Sequence, residues 1–295
     1  MGASFPQPPL PQFYREATVR ARRVLAPGGA LLSLLLVAGC DNTPPAQAAK
    51  KVKVAKDNAL EMMNKAGYDI GDVVQVMVDP QLPFMGYTMP RGNDKYRIVV
   101  SGGSVDSGLL EGLLVHEMSH VYRMKTRHLS HNGQVIEEAV NSFGKNVAKY
   151  DYQQKIMHDM LNDIQDLYAD DLSFKVLRQS KILPIEDMSS FLQDWVKEEP
   201  SSSGDDRKDR WINAGIMVHN ARAIAQMERH KVPDTGNKAA KANKEFLAKL
   251  PRTMSGQFEY FRNLLRNLDE NLTEDNYRAL LHNYLSKFLE IAVKN

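Results

Sequence analysis

LLVHEMSHVY, residues 113–122, is the stretch on which the reading of this 295-residue chain turns. Within it, His116 and His120 stand four residues apart. On a helix that spacing puts both imidazoles on one face, where their ring nitrogens can reach one ion at about 2.0–2.1 Å. Glu117 lies beside them and completes the pattern H-E-x-x-H. Zinc held in this way lowers the pKa of a water toward about 7, and the glutamate is placed to take its proton. The expected roles are therefore His116 and His120 as ligands of one Zn2+ and Glu117 as general base.

Working outward, two β-type runs precede the motif, at residues 72–78 and 96–100. Between them QLPFMGYTMPRGNDK, residues 81–95, is rich in Gly and Pro and reads as a loop or a wide hairpin. A short helix is expected around residues 58–66, and Asp106 or Ser107 is suited to cap the motif helix. After the motif, apolar residues recur at helical intervals over 135–149, 152–179, 185–197 and 210–230, and then along an unbroken tail over 238–293. The fold expected is α+β and predominantly α, with a small sheet packed on the motif helix and a helical C-terminal region.

Composition fits an ordinary folded protein, 43% hydrophobic and 25% charged. The formal charge of +2 turns slightly negative once residues 1–39, with four arginines against one glutamate, are set aside, so no nucleic-acid partner is expected. Those residues read as an export signal: arginines, then the apolar run Ala30 to Ala38, too short to cross a bilayer as a helix. Pro6, Pro8, Pro9 and Pro11 ahead of that run point to a translation start downstream of Met1. Val37-Ala38-Gly39-Cys40 resembles the bacterial lipobox, which implies cleavage before Cys40 and its acylation. By the same resemblance Asp41 favours retention at the inner membrane of a two-membrane host. Cys40 is the only cysteine, so His, Asp or Glu must hold any metal. The expected organisation is a signal peptide at 1–39, a Pro-, Ala- and Lys-rich tether at 40–57, a metal-binding core at 58–184 and a helical region at 185–295.

The strand followed by a helix bearing H-E-x-x-H is similar to the zincin metallopeptidases, over about residues 73–176. That family takes a third ligand from further along the chain, and no downstream H-x-x-G-x-x-H pattern is present. Glu137 or Glu138 on the next helix would follow the thermolysin-like arrangement, and His128 and His131 are further candidates. Asp166-Leu167-Tyr168-Ala169-Asp170 resembles the E-x-x-A-D element of integral-membrane zinc peptidases, with Asp in place of Glu. That likeness implies Asp166 as ligand and Asp170 as a carboxylate supporting a motif histidine. A bland reading stands beside it: Asp159, Asp163, Asp166 and Asp170 share a stripe, as on a solvated amphipathic helix.

Tyr168, His219 and Arg222 are candidate donors to an oxyanion, and of these His219 is the catalytic candidate, although a lone His among Ile216, Met217 and Val218 also suits packing. The 96–100 strand resembles the edge strand on which zincins lay an extended peptide. The function expected is a membrane-anchored zinc peptidase acting on peptide or protein substrates in the cell envelope. The alternative is an envelope binding or assembly lipoprotein in which the metal is structural. Substrate specificity and oligomeric state are left open by the sequence.

Overall fold

The computed structural model describes residues 45–143 and 147–293. The expected signal peptide and Cys40 lie outside the described residues. The described residues form two compact units, one of 45–126 with 132–138, the other of 127–131 with 139–143 and 147–293. Helices dominate and one three-stranded sheet is present among the described residues, an α+β and predominantly α protein as expected.

The first unit opens with helix α1 (Pro45–Lys65), strands β1 (Val74–Asp79), β2 (Gly86–Gly92) and β3 (Lys95–Ser101), a one-turn helix α2 (Gly102–Asp106) and the motif helix α3 (Leu110–Lys125). Helix α1 starts at Pro45, so the segment expected as a structureless tether is helical from there. The stripe that drives it is Val52, Ala55, Ala59 and Met63, all buried at three- and four-residue spacing. Small alanines carry half of that stripe, which is why its apolar signal is weak. Helix α1 packs on α3, which buries Leu114, Val115, Met118 and Val121.

The sheet order is β1-β3-β2, with β1 parallel and β2 antiparallel to β3. Two expectations are corrected here. The 96–100 strand is central rather than an edge, and the edge beside the motif helix is β2, inside the segment expected as a loop or wide hairpin. Asn93 and Asp94, both with φ of 53°, make the tight turn between β2 and β3 in the left-handed backbone conformation that matches the right-handed twist of the strands. Pro90, which masks the strand signal, is tolerable because β2 is an edge. Leu109 rather than Asp106 or Ser107 is the N-cap of α3; Ser107 Oγ accepts from the Leu109 N–H, one step earlier.

The second unit contains α5 (Asp151–Ser180), α6 (Ile185–Trp195), α7 (Asp206–Arg229), α8 (Lys238–Ala248), α9 (Arg252–Ser255), α10 (Phe258–Arg266) and α11 (Glu274–Val293). A further helix, α4 (Gly133–Ser142), follows a 3₁₀ turn at Leu129–His131. The tail from Lys238 is four helices, not one. Pro251, Gly256 and the stretch 267–273 interrupt it. Helix α7 is the axis of this unit: α5, α6, α8, α10 and α11 all pack on it, burying Trp211, Ala214, Met217, Val218 and Ala221. Among the described residues no helix is long and apolar enough to cross a membrane.

A Cβ added at Gly86 in β2 would stand 2.9 Å from the backbone oxygen of Val99, with no flexible side chain to yield. Gly86→Ala is expected to lower the unfolding free energy by about 1–3 kcal/mol in urea titrations. A loss below about 0.5 kcal/mol, the scatter of neutral surface changes, would show that the sheet relaxes freely.

Candidate metal centre

Helix α3 continues without interruption through the motif, so the i, i+4 geometry expected for His116 and His120 is realised. Their Nε2 atoms are 3.1 Å apart, and the rings meet edge to face with centroids 4.8 Å apart. Two nitrogens at zinc-bond length from one ion in tetrahedral geometry would stand about 3.4 Å apart. Both rings therefore already turn the same nitrogen to a common point.

Glu117 is 4% exposed, yet it is satisfied: Thr88 on β2 donates its Oγ1 hydrogen to Oε2 at 2.6 Å. The same Oγ1 lies 3.2 Å from the backbone oxygen of Glu117. Strand β2 thus touches the motif helix at the residue expected to act as base. No motif in the sequence announces Thr88. Its signal would have been the strand assignment itself, which puts Thr88 opposite Ile98 in the register.

Among the described residues, His116, His120 and Asp166 are the candidate ligand set, with Asp166 on α5 of the second unit. The donor set, two imidazoles and a carboxylate, fits zinc with a fourth position left over. Of the other candidates, Glu137 is partly buried on α4, and Glu138, His128 and His131 are engaged elsewhere. Glu138 accepts from Gln134 Nε2 at 2.9 Å, and the Nδ1 atoms of His128 and His131 each lie 2.7 Å from Ser130 Oγ. The ring of His128 also packs on Tyr168, 4.9 Å between centroids.

Three of the four acids of the α5 stripe turn inward, while Asp159 pairs with Lys155 in an exposed position. Asp163 and Asp170 are buried, Asp166 is partly buried, and all three face Arg222 of α7. Arg222 donates NH1 to Asp163 Oδ1 at 2.8 Å and NH2 to Asp166 Oδ2 at 3.2 Å, and its NH2 stands 3.8 Å from Asp170 Oδ2. Gln226, one turn on, donates to Asp170, and Arg229 makes a bidentate pair with Asp171 at 2.6 Å for each bond. Burial pushes the Asp163 carboxyl up to about 7 against the pull of Arg222. The reading that missed this looked at one helix only. The matching signal is on α7, where Arg222, Gln226 and Arg229 recur at four- and three-residue spacing on one face.

The three candidate oxyanion donors all have protein partners. Tyr168 donates its hydroxyl to the backbone oxygen of Asp269 at 2.9 Å, and Arg222 is bound to carboxylates. His219 bonds to the backbone of Trp195 and stacks on its ring at 6.1 Å. Burial, then the charge of Arg222, pushes the His219 imidazole down to about 3, so it is neutral at physiological pH.

That shift has a measurable sign. Unfolded, the His219 ring takes a proton near 6.5; folded, it does so only near 3. The stability contributed by the neutral ring is complete above pH 6.5 and drains as pH falls toward 3, by up to about 1.4 kcal/mol per unit. Asp163 acts in the opposite sense between about pH 4 and 7, but it is common to wild type and variant. Relative to His219→Leu, the wild type is expected to lose about 2 kcal/mol between pH 7 and pH 5 in urea unfolding. Parallel pH profiles for the two proteins would mean that the folded ring protonates as easily as the free one.

No curated protein and no solved structure matches the chain. Residues 55–289 match a family of unknown function, DUF5781, and with most of its length inside that match the chain belongs to this family.

Proposed function

We propose that this protein is a zinc-dependent peptidase of the zincin kind, held at an envelope membrane by acylated Cys40. The observation that carries the reading is the pair His116 and His120, turned to a common point beside a buried, hydrogen-bonded Glu117, with Asp166 as the candidate third ligand. Three protein donors with one position left over is the pattern of catalytic rather than structural sites. A divalent ion bound there supplies Lewis acidity, polarising a carbonyl and acidifying a water.

The rest is done by the chain: His116, His120 and Asp166 would hold the ion, and Glu117 is placed to take a proton from water beside it. Thr88 engages Oε2, which leaves Oε1 as the oxygen placed to receive the proton. An extended peptide along β2, the edge strand in contact with α3, would gain main-chain hydrogen bonds without much side-chain selection.

Glu117→Gln preserves shape and removes the base. The variant is expected to bind one zinc per chain and to lose hydrolysis of an unfolded protein substrate; activity at the wild-type level would sink the proposal. For the anchor, Cys40→Ser is expected to move the protein from the membrane fraction to the soluble one. Unchanged partition would remove the lipid from the reading.

A further inference from the structure

We infer that Arg222 is a positioning residue, which sets the carboxylate of Asp166 for the metal; the inference rests on the zinc reading of that site. Arg222 is 3% exposed and reaches three aspartates of α5 with its two terminal nitrogens. Trp195 closes over the guanidinium, 4.6 Å from its carbon to the ring centroid. Its Nε is buried without an acceptor among the described residues. An arginine optimised for stability would not leave a donor unsatisfied, and buried ion pairs contribute little net stability in any case. What the arrangement does accomplish is geometric.

Asp166 is one methylene shorter than the glutamate that usually fills such a position, so it has less freedom to swing toward an ion. The bond from Arg222 NH2 to Oδ2 fixes the plane of the carboxylate that is offered to the metal. Asp163 holds Arg222 from the other side through NH1, and Gln226 holds Asp170, so the donor cannot drift. The charges tell the same story. Three carboxylates surround a single guanidinium, and a bound dication supplies the positive charge that this set lacks. Partners of this kind typically change metal affinity by about 10- to 100-fold.

The experiment titrates cobalt(II) into the metal-free full-length protein and reads both affinity and the visible band that reports coordination geometry. Arg222→Lys keeps the charge but loses the fork. It is expected to bind cobalt at least about 10-fold more weakly, with an altered band, while circular dichroism shows a folded chain. A folded Arg222→Lys protein with a lower melting temperature but wild-type affinity and band would make the role merely structural and overturn the inference. Should Arg222→Lys not fold, Asp163→Asn serves in its place: it keeps the shape, loosens the opposite hold on Arg222, and is expected to weaken cobalt binding and shift the band. Wild-type behaviour of that variant also overturns the inference. Failure of the wild-type protein itself to bind cobalt or zinc would instead bring down the metal reading, a separate and distinguishable result.

Discussion

A guanidinium or carboxylate taken out of water costs several kcal/mol, and the second unit buries one of the former with two of the latter. That cost can be met only if partners stand at fixed places, so the faces of α5 and α7 have little choice of register. Arg222 opposite Asp163 and Asp166, Gln226 opposite Asp170 and Arg229 opposite Asp171 form a polar seam between two long helices that run in the same direction. Gly215, whose added Cβ would stand 3.1 Å from Ile156, marks how closely the two approach along the apolar part of the same contact. Sliding either helix by one residue would turn these side chains some 100° away from their partners and strand buried charge.

The first unit solves a different problem with apolar means. Helix α3 must keep two imidazoles aligned, and it does so by being rigid: buried Leu114, Val115, Met118 and Val121 clamp it, with Ser119 closing onto the Val115 carbonyl at 2.8 Å. The polar groups proposed to act are thus on regular elements, helices and one strand, not on loops. That choice suits a site whose geometry has to be held within fractions of an ångström.

The parts of this arrangement that could be read from the sequence share one property: their physics is local. H-E-x-x-H and the helix bearing it lie within sixteen residues, and the strand at 96–100 ends in the β-branched run Ile98-Val99-Val100. What escaped reading depended on distant partners or on small side chains. Strand β2 is punctuated by Gly86, Pro90 and Gly92, and exists because β3 supplies its ladder. Helix α1 is held by alanines whose burial appears only once α3 is beside them. The acidic residues of α5 looked solvated because Arg222 stands 59 positions from Asp163 and 56 from Asp166 along the chain. Pattern within one helix cannot tell an acid facing water from an acid facing an arginine.

Pro90 and the register shift between it and Gly92 bear on self-association as well as on folding. An open sheet edge is a template on which any second chain can add a strand, and stacking of copies by that route leads to aggregates. At Pro90 the outer strand has no N–H to offer, and the irregularity beside it breaks the even ladder that polymerising strands require. The edge can therefore receive a short extended segment along its first residues without serving as a seed for long-range sheet growth.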